Sequence, residues 1–448
     1  MKNRRFSEVC TLLAVSSFSA FLSGGYTQGS LLMKTIVIFS LILSVIYFFV
    51  INVKPSFNNN PVKRLRAMYN GRELMIILAW ASVFHIIIGI LWKTCLNLSI
   101  GGLIVYSVVS LLLDAFVAVN GFLRIFTSSR QLGIVWRALI ILLWWLPPLN
   151  IYLMAKACQK VYDEYDIETQ KNELDNVRKE SEICRTKYPI LMVHGVFFRD
   201  LRFFNYWGRI PQSLIKNGAE VYYGEQQSAA SVEDCAAELE VRIKQIISQT
   251  GCEKVNIIAH SKGGLDSRCV ISSRGMAKYV ASLTTVNTPH RGCAYADFLL
   301  KHIPMPAVSF IAAKYNSALH RLGDRNPDFI AAVSNLTMEY CTEFNKRNPN
   351  SETVYYQSIG SRMKSFASAG FPLCLSYHLV KLFGAKNSDG LVDSDSMRWG
   401  KRHTFFEPKT KRGISHGDMI DLMREDIKGF DVREEYVKIV SDLKKMGF

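Results

Sequence analysis

The chain has 448 residues, 49% of them hydrophobic and 21% charged, which leaves room for more than one domain and a large core. Its net charge of +16 does not call for a nucleic acid, because many of the cations sit in short loops between apolar runs, as cytoplasmic loops facing anionic lipid do. The 10 cysteines include no C-x-x-C pair, so neither a metal ribbon nor a redox motif is expected, and most read as small core residues.

In chain order, the first apolar run, Val9–Leu22, follows Lys2, Arg4 and Arg5. No small-x-small cleavage site follows it, so it reads as an uncleaved span and not a signal peptide. Leu31–Val53, Leu74–Leu96, Leu98–Leu123 and Ile134–Ala157 are each about 20 residues or longer, enough for a helix to cross hydrocarbon. Residues 1–157 therefore predict an all-α transmembrane region of about five helices. His85 and Asp114 fall at similar depth in two of these runs, where buried charges tend to pair. Lys63, Arg64, Arg66 and Arg72 lie between the second and third runs, and Arg124, Arg130 and Arg137 flank the fourth connection. With basic loops inside, five crossings put the N-terminus in the cytoplasm and whatever follows the fifth run outside.

Residues 158–187 turn abruptly charged (VYDEYDIETQKNELDNVRKES) and predict a helical linker. From Tyr188 onward, short apolar runs alternate with helical patterns: Ile190–Val193, Glu220–Tyr223, Val255–Ala259, Ser282–Val286 and Thr353–Ile359. That alternation implies a mostly parallel sheet covered by helices, with ligands bound beyond the carboxyl ends of the strands.

Chemistry-bearing residues cluster at those ends. In VNIIAHSKGGL, Ser261 sits on a strand-to-helix corner between Ala259 and Gly263, which lifts its hydroxyl clear and leaves the Lys262 N–H at the helix N-terminus, pointed where an oxyanion could form. In MVHGVFF a strand stops at His194-Gly195 and leaves the Val196 N–H available as a second donor for an oxyanion. The turn NTPHRG carries His290, only one strand beyond Ser261 and better suited to supporting the site than to acting as its base. NSDGLV and ISHGDM each place a titratable group in a turn, Asp389 and His416, giving the order Ser, Asp, His. A serine hydroxyl is a weak nucleophile until an imidazole takes its proton, and the imidazole needs a carboxylate to hold its tautomer.

Together and in order, YPILMVHGVFFRD, AHSKGG, NTPHRG, LTMEYCTEFN, SDGLV and SHGDMIDL resemble the bacterial triacylglycerol lipases of the α/β-hydrolase fold. The resemblance covers residues 188–448 and leaves the apolar half unexplained. It implies Ser261 as nucleophile, Asp389 as acid, His416 as base, and the Val196 and Lys262 amides as oxyanion hole. Ala259 replaces the commoner first glycine. Ser388 stands where many relatives have asparagine, which keeps Asp393 and Asp395 as alternative acids. No cofactor is implied beyond a structural calcium ion, which many relatives hold through an aspartate at the position of Asp418; no partner aspartate is evident before Asp389. The helical insertion at about 293–345 is expected to cap an acyl pocket, with Leu299, Ile303, Met305, Val308 and Phe310 as lining. The expectation is a multi-pass cell-membrane serine esterase acting on lipid esters, with its catalytic domain extracellular and no nucleic-acid partner. An acyltransferase using the same triad and a catalytically silent scaffold are the alternatives.

Overall fold

The computed structural model describes residues 2–24, 31–196, 205–370, 373–382, 387–408 and 411–448. Two compact units divide the chain, Met1–Glu173 and Leu174–Phe448.

The first unit is all helical. Four helices are long and apolar enough to cross a membrane: α1 (Lys2–Ser23), α2 (Leu31–Val53), α3 (Lys63–Thr94) and α4 (Ile100–Ser128). Only Val37, Phe48 and Asn52 of α2 are buried, while Leu32, Ile36, Phe39 and Leu43 are exposed; so large an apolar surface suggests a membrane environment. Glycines let α3 and α4 approach closely. A Cβ on Gly121 would lie 2.6 Å from Met75 Sδ, and one on Gly71 would lie 2.8 Å from Arg124 Cβ. Several buried polar groups of the unit are paired, which offsets the cost of their burial. His85 Nδ1 lies 3.2 Å from Asp114 Oδ1, the pairing expected from their matching depths. Asn52 Nδ2 donates to Glu8 at 2.7 Å, and Glu73 accepts from Arg5 and Arg72.

The expected fifth span is not one helix. The run Ile134–Ala157 is split into an 11-residue α5 (Gly133–Leu143) and the beginning of α6 (Leu149–Arg178), because Pro147 and Pro148 lack the N–H groups a continuous helix would need. α5 rises only about 16 Å, roughly half a hydrocarbon core. An extracellular hydrolase rested on an odd number of crossings, so that expectation loses its support. α6 carries most of the charged linker as a continuous helix and is followed by a 3-10 turn, Lys179–Ser181.

In the second unit, six parallel strands form one sheet in the order β2-β1-β3-β4-β5-β6. They are β1 (Ile190–Val193), β2 (Val221–Tyr223), β3 (Val255–His260), β4 (Val280–Val286), β5 (Tyr355–Ser361) and β6 (Arg402–Phe406). β1, β3 and β4 are buried along their whole length, hence their unbroken apolar runs. One core layer joins Leu191, Ile257 and Leu283 to α8 (Val232–Thr250) and α9 (Gly263–Ser272); the other joins Met192, Ile258 and Ile359 to α7 (Ile210–Lys216) and α15 (Val432–Lys445). This is the α/β-hydrolase architecture anticipated above. Strand order reverses between β1 and β3, so a crevice opens at their carboxyl ends. The insertion after β4 is helical: α10 (Ala294–His302), α11 (Met305–Arg321), α12 (Phe329–Ser334) and α13 (Met338–Arg347), with α14 (Leu373–Leu382) following β5.

Candidate active site

Ser261 lies directly beyond β3 with φ +55, a left-handed conformation that costs a non-glycine residue of order 1–3 kcal/mol and recurs where function demands it. Its neighbours must be small for a concrete reason. A Cβ on Gly263 would stand 2.3 Å from the carbonyl oxygen of His194, and one on Gly195 would stand 2.7 Å from Ser261 Cβ. The ends of β1 and β3 are thus pressed together, which brings the His194–Val196 turn against the serine. Among the described residues, neither the Val196 nor the Lys262 N–H donates to a protein acceptor. Phe197 and Phe198 of the same motif fall outside the described residues.

His416 and Asp389 meet at 2.6 Å between Nδ1 and Oδ2, and the His416 N–H also donates to the Asp389 carbonyl at 2.8 Å. The Asp389 side chain is fully buried and saturated: Oδ1 accepts from the Leu391 and Val392 N–H groups, and Oδ2 accepts from Asn287 Nδ2 at 2.7 Å. Asp393 accepts from the Asp395 N–H instead, and burial raises its pKa; no contact joins either residue to His416 among the described residues. The His416 ring packs on His260, centroids 4.4 Å apart, and His260 precedes Ser261 in the chain.

Two supporting residues escaped the sequence reading. Asn287, at φ +47 beyond β4, holds Asp389 and also donates to Ser361. Its signal was its place at the first turn position after a buried strand next to β3. Tyr206 accepts from the Gly195 N–H at 3.0 Å and shares a 2.7 Å hydrogen bond with His260 Nδ1, tying the β1 turn to the β3 elbow. Burial pushes His260 well below the usual histidine range, reinforced by His416 beside it.

His290 stands apart from the pair. It bonds Thr285 Oγ1 at 3.0 Å and stacks on Trp399, whose other contacts include the Arg268 guanidinium 3.6 Å from the ring centre. Lys262 shows a side-chain role that its sequence position did not reveal. Its ammonium is buried at 2.7 Å from Asp266 and 3.4 Å from Cys235 Sγ. Burial alone would lower the lysine pKa, but these partners outweigh it and keep it charged.

Asp418 does not suit calcium. Its two oxygens are held by Arg412, at 2.8 and 3.2 Å, and by the Ser415 N–H, so a cation already occupies its face. No group of three His, Cys, Asp or Glu side chains able to hold a metal occurs among the described residues. In the insertion, Leu299 and Val308 are buried core residues, whereas Met305 and Phe310 are exposed. Leu319 of α11 and Ala332 of α12 pack with Ala229 and against Val196, placing the cap helices over the β1 turn.

A serine on a strained strand-to-helix elbow at the switch point of a parallel sheet, in a chain that also holds a buried histidine–aspartate pair, fits the α/β-hydrolase fold. Comparison with known proteins narrows the class. A triacylglycerol lipase of Vibrio cholerae serotype O1 is 33% identical over 238 residues, 48% of this chain and 76% of that protein. One from Pseudarthrobacter phenanthrenivorans is 35% identical over 178 residues, 37% of this chain and 55% of its own length. Triacylglycerol lipase 2 of Saccharomyces cerevisiae is 29% identical over 264 residues, covering 54% and 74%. The chain belongs to the triacylglycerol lipase family and is a carboxylic ester hydrolase. No family model matches it. Among solved structures, the Staphylococcus hyicus lipase aligns with a TM-score of 0.46 and 18% identity over 58% of this chain and 97% of that one; the mature Bacillus licheniformis lipase BlEst2 aligns with 0.41 and 22% over 53% and 88%.

Proposed function

We propose that the chain is a membrane-bound serine esterase that hydrolyses acylglycerols through an acyl-enzyme. The observation that carries this reading is the strained Ser261 elbow together with the His416–Asp389 pair, whose imidazole packs on His260, the residue before Ser261. His416 Nδ1–H donates to Asp389, a tautomer assigned from that hydrogen bond, which leaves Nε2 free to take the Ser261 proton. Ser261 Oγ attacks the ester carbonyl, and the oxyanion is stabilised by the Val196 and Lys262 N–H groups. His416 returns the proton to the departing alcohol. Water, deprotonated by the same imidazole, then attacks the acyl-serine, releases the fatty acid and restores Ser261.

The four long helices support membrane attachment, and an even number of crossings favours the side of the N-terminus for the hydrolase. Incubating the purified full chain with a triacylglycerol, with and without an added acceptor alcohol, tests the reaction. Free fatty acid in both cases supports hydrolysis. New ester at the expense of free acid in the presence of alcohol would assign an acyltransferase, and no turnover would reduce the fold to a scaffold.

A further inference from the structure

We infer that α5 and the first turns of α6 form a hairpin inserted among the acyl chains of a single leaflet, returning the chain to the face it entered from and holding the hydrolase on the N-terminal side of the membrane. The inference rests on reading α1–α4 as four crossings. The first arm does not reach across: α5 has 11 residues, about 16 Å against a core of about 30 Å; α6 is longer, 30 residues, but the stretch from Leu149 to Glu164 rises only about 23 Å.

Packing shows how far the hairpin reaches. Its Ile140, Leu153 and Ala157 share a cluster with Leu65, Met68 and Met75 of α3 and Ile125 of α4, with Leu78 the residue farthest along α3. All of these lie in the half of the bundle that begins at Lys63 and ends at Ser128. The cluster at the opposite end, Ala20, Leu98 and Tyr106 with Ile88 and Trp92, contains no residue of the hairpin.

The return is fixed by Glu164 of α6. Its carboxylate accepts from Ser129 Oγ at 2.6 Å, from the Arg130 and Gln131 N–H groups at 3.0 and 3.1 Å, and from Arg64 Nη1 at 2.7 Å. α6 is therefore level, at Glu164, with the point where α5 set out and with the start of α3. Tyr165 packs on Tyr69 and Thr169 bonds Asn60 at that same end.

The tip is built for a medium without water. A turn between helices frees carbonyls, and hydrocarbon offers them no donors. Here Asn150 Nδ2 donates to the Trp144 carbonyl at 2.8 Å and Trp145 Nε1 donates to that of Leu142 at 3.0 Å. The outward face is apolar, with Ile134, Val135, Ile141, Leu142, Trp144 and Ile151 all exposed. Arg137 reaches back to the Ser129 carbonyl and Lys160 lies 5.4 Å over the Trp136 ring, so the cations gather at the mouth, at headgroup level.

Single cysteines test this in the full chain, with Cys10, Cys95, Cys158 and Cys252 replaced by alanine, the remaining cysteines being buried. Asn97→Cys, in the α3–α4 connection, should react with a membrane-impermeant maleimide from outside intact cells. Gln131→Cys and Gln170→Cys, before and after the hairpin, should both react only after lysis. A fluorophore on Leu146→Cys at the tip, in reconstituted vesicles, should lose most of its emission to lipids brominated along the acyl chain and little to iodide in water. Reaction of Gln170→Cys from outside with Gln131→Cys protected would establish a fifth crossing and overturn the hairpin. Quenching by iodide but not by brominated lipid would remove the insertion. Ester turnover of each variant reports separately on the hydrolase, so failure of the hairpin and failure of the catalytic reading remain distinguishable.

Discussion

Lys262 follows the nucleophile, and the sequence suggested that only its backbone N–H mattered. The i,i+4 pair with Asp266 is a pattern usually found on a wet helix face; what the pattern could not show is that every residue of α9 from Gly263 to Ile271 is buried. Removing the ammonium would strand a buried carboxylate. Lys262→Met should therefore lower stability by about 3–5 kcal/mol, seen as an earlier midpoint of thermal inactivation, while turnover per active molecule stays near the parent because the N–H remains. Adding Asp266→Leu should recover most of the loss; continued instability of the double variant would refute the ion-pair account. Asp389 was legible only as one of three candidate acids between the elbow and the last histidine, favoured by its SDGLV turn. Its exclusive contact with His416 was not, because Asp393 and Asp395 sit in the same turn region. Asp389→Asn should reduce turnover by about four orders of magnitude, as loss of a triad acid does, whereas Asp393→Asn and Asp395→Asn should stay within a few-fold. Loss of turnover in Asp393→Asn alone would reassign the acid.

At the scale of elements, motifs that depend on local turn chemistry were readable, and those that depend on a partner were not. The elbow, the His194-Gly195 turn and the buried strands announce themselves by glycine placement and unbroken apolar runs. β6, Arg402–Phe406, did not, because an edge strand buried on neither end reads RHTFF and lacks such a run. The break in the fifth apolar run was not legible because hydropathy sums over a window, while a helix fails at single missing N–H groups, here Pro147 and Pro148. Helix contacts within the bundle depend on small residues that no hydropathy scale rewards. Gly121→Leu must displace Met75 and should cost about 1–3 kcal/mol of stability by overpacking. Gly101→Leu, with nothing within 4 Å of its Cβ, should leave the thermal midpoint unchanged. Equal effects of the two would mean that α3 and α4 do not pack as described.

The whole chain joins an ester hydrolase to an apolar unit with four helices long and apolar enough to cross a membrane, which accounts for its 49% hydrophobic content. The net positive charge divides evenly between the two units, +8 over residues 1–173 and +8 over residues 174–448. Everything in this account converges on one hydroxyl. The most direct measurement is turnover of a triacylglycerol by the full-length protein beside its Ser261→Ala variant, with a fluorophosphonate probe mapped by peptide mass. The account predicts probe attachment at Ser261, no attachment in Ser261→Ala, and a fall in turnover of roughly a millionfold with the thermal midpoint retained. Near-parent turnover in a folded Ser261→Ala protein, or probe attachment at another serine, would contradict it.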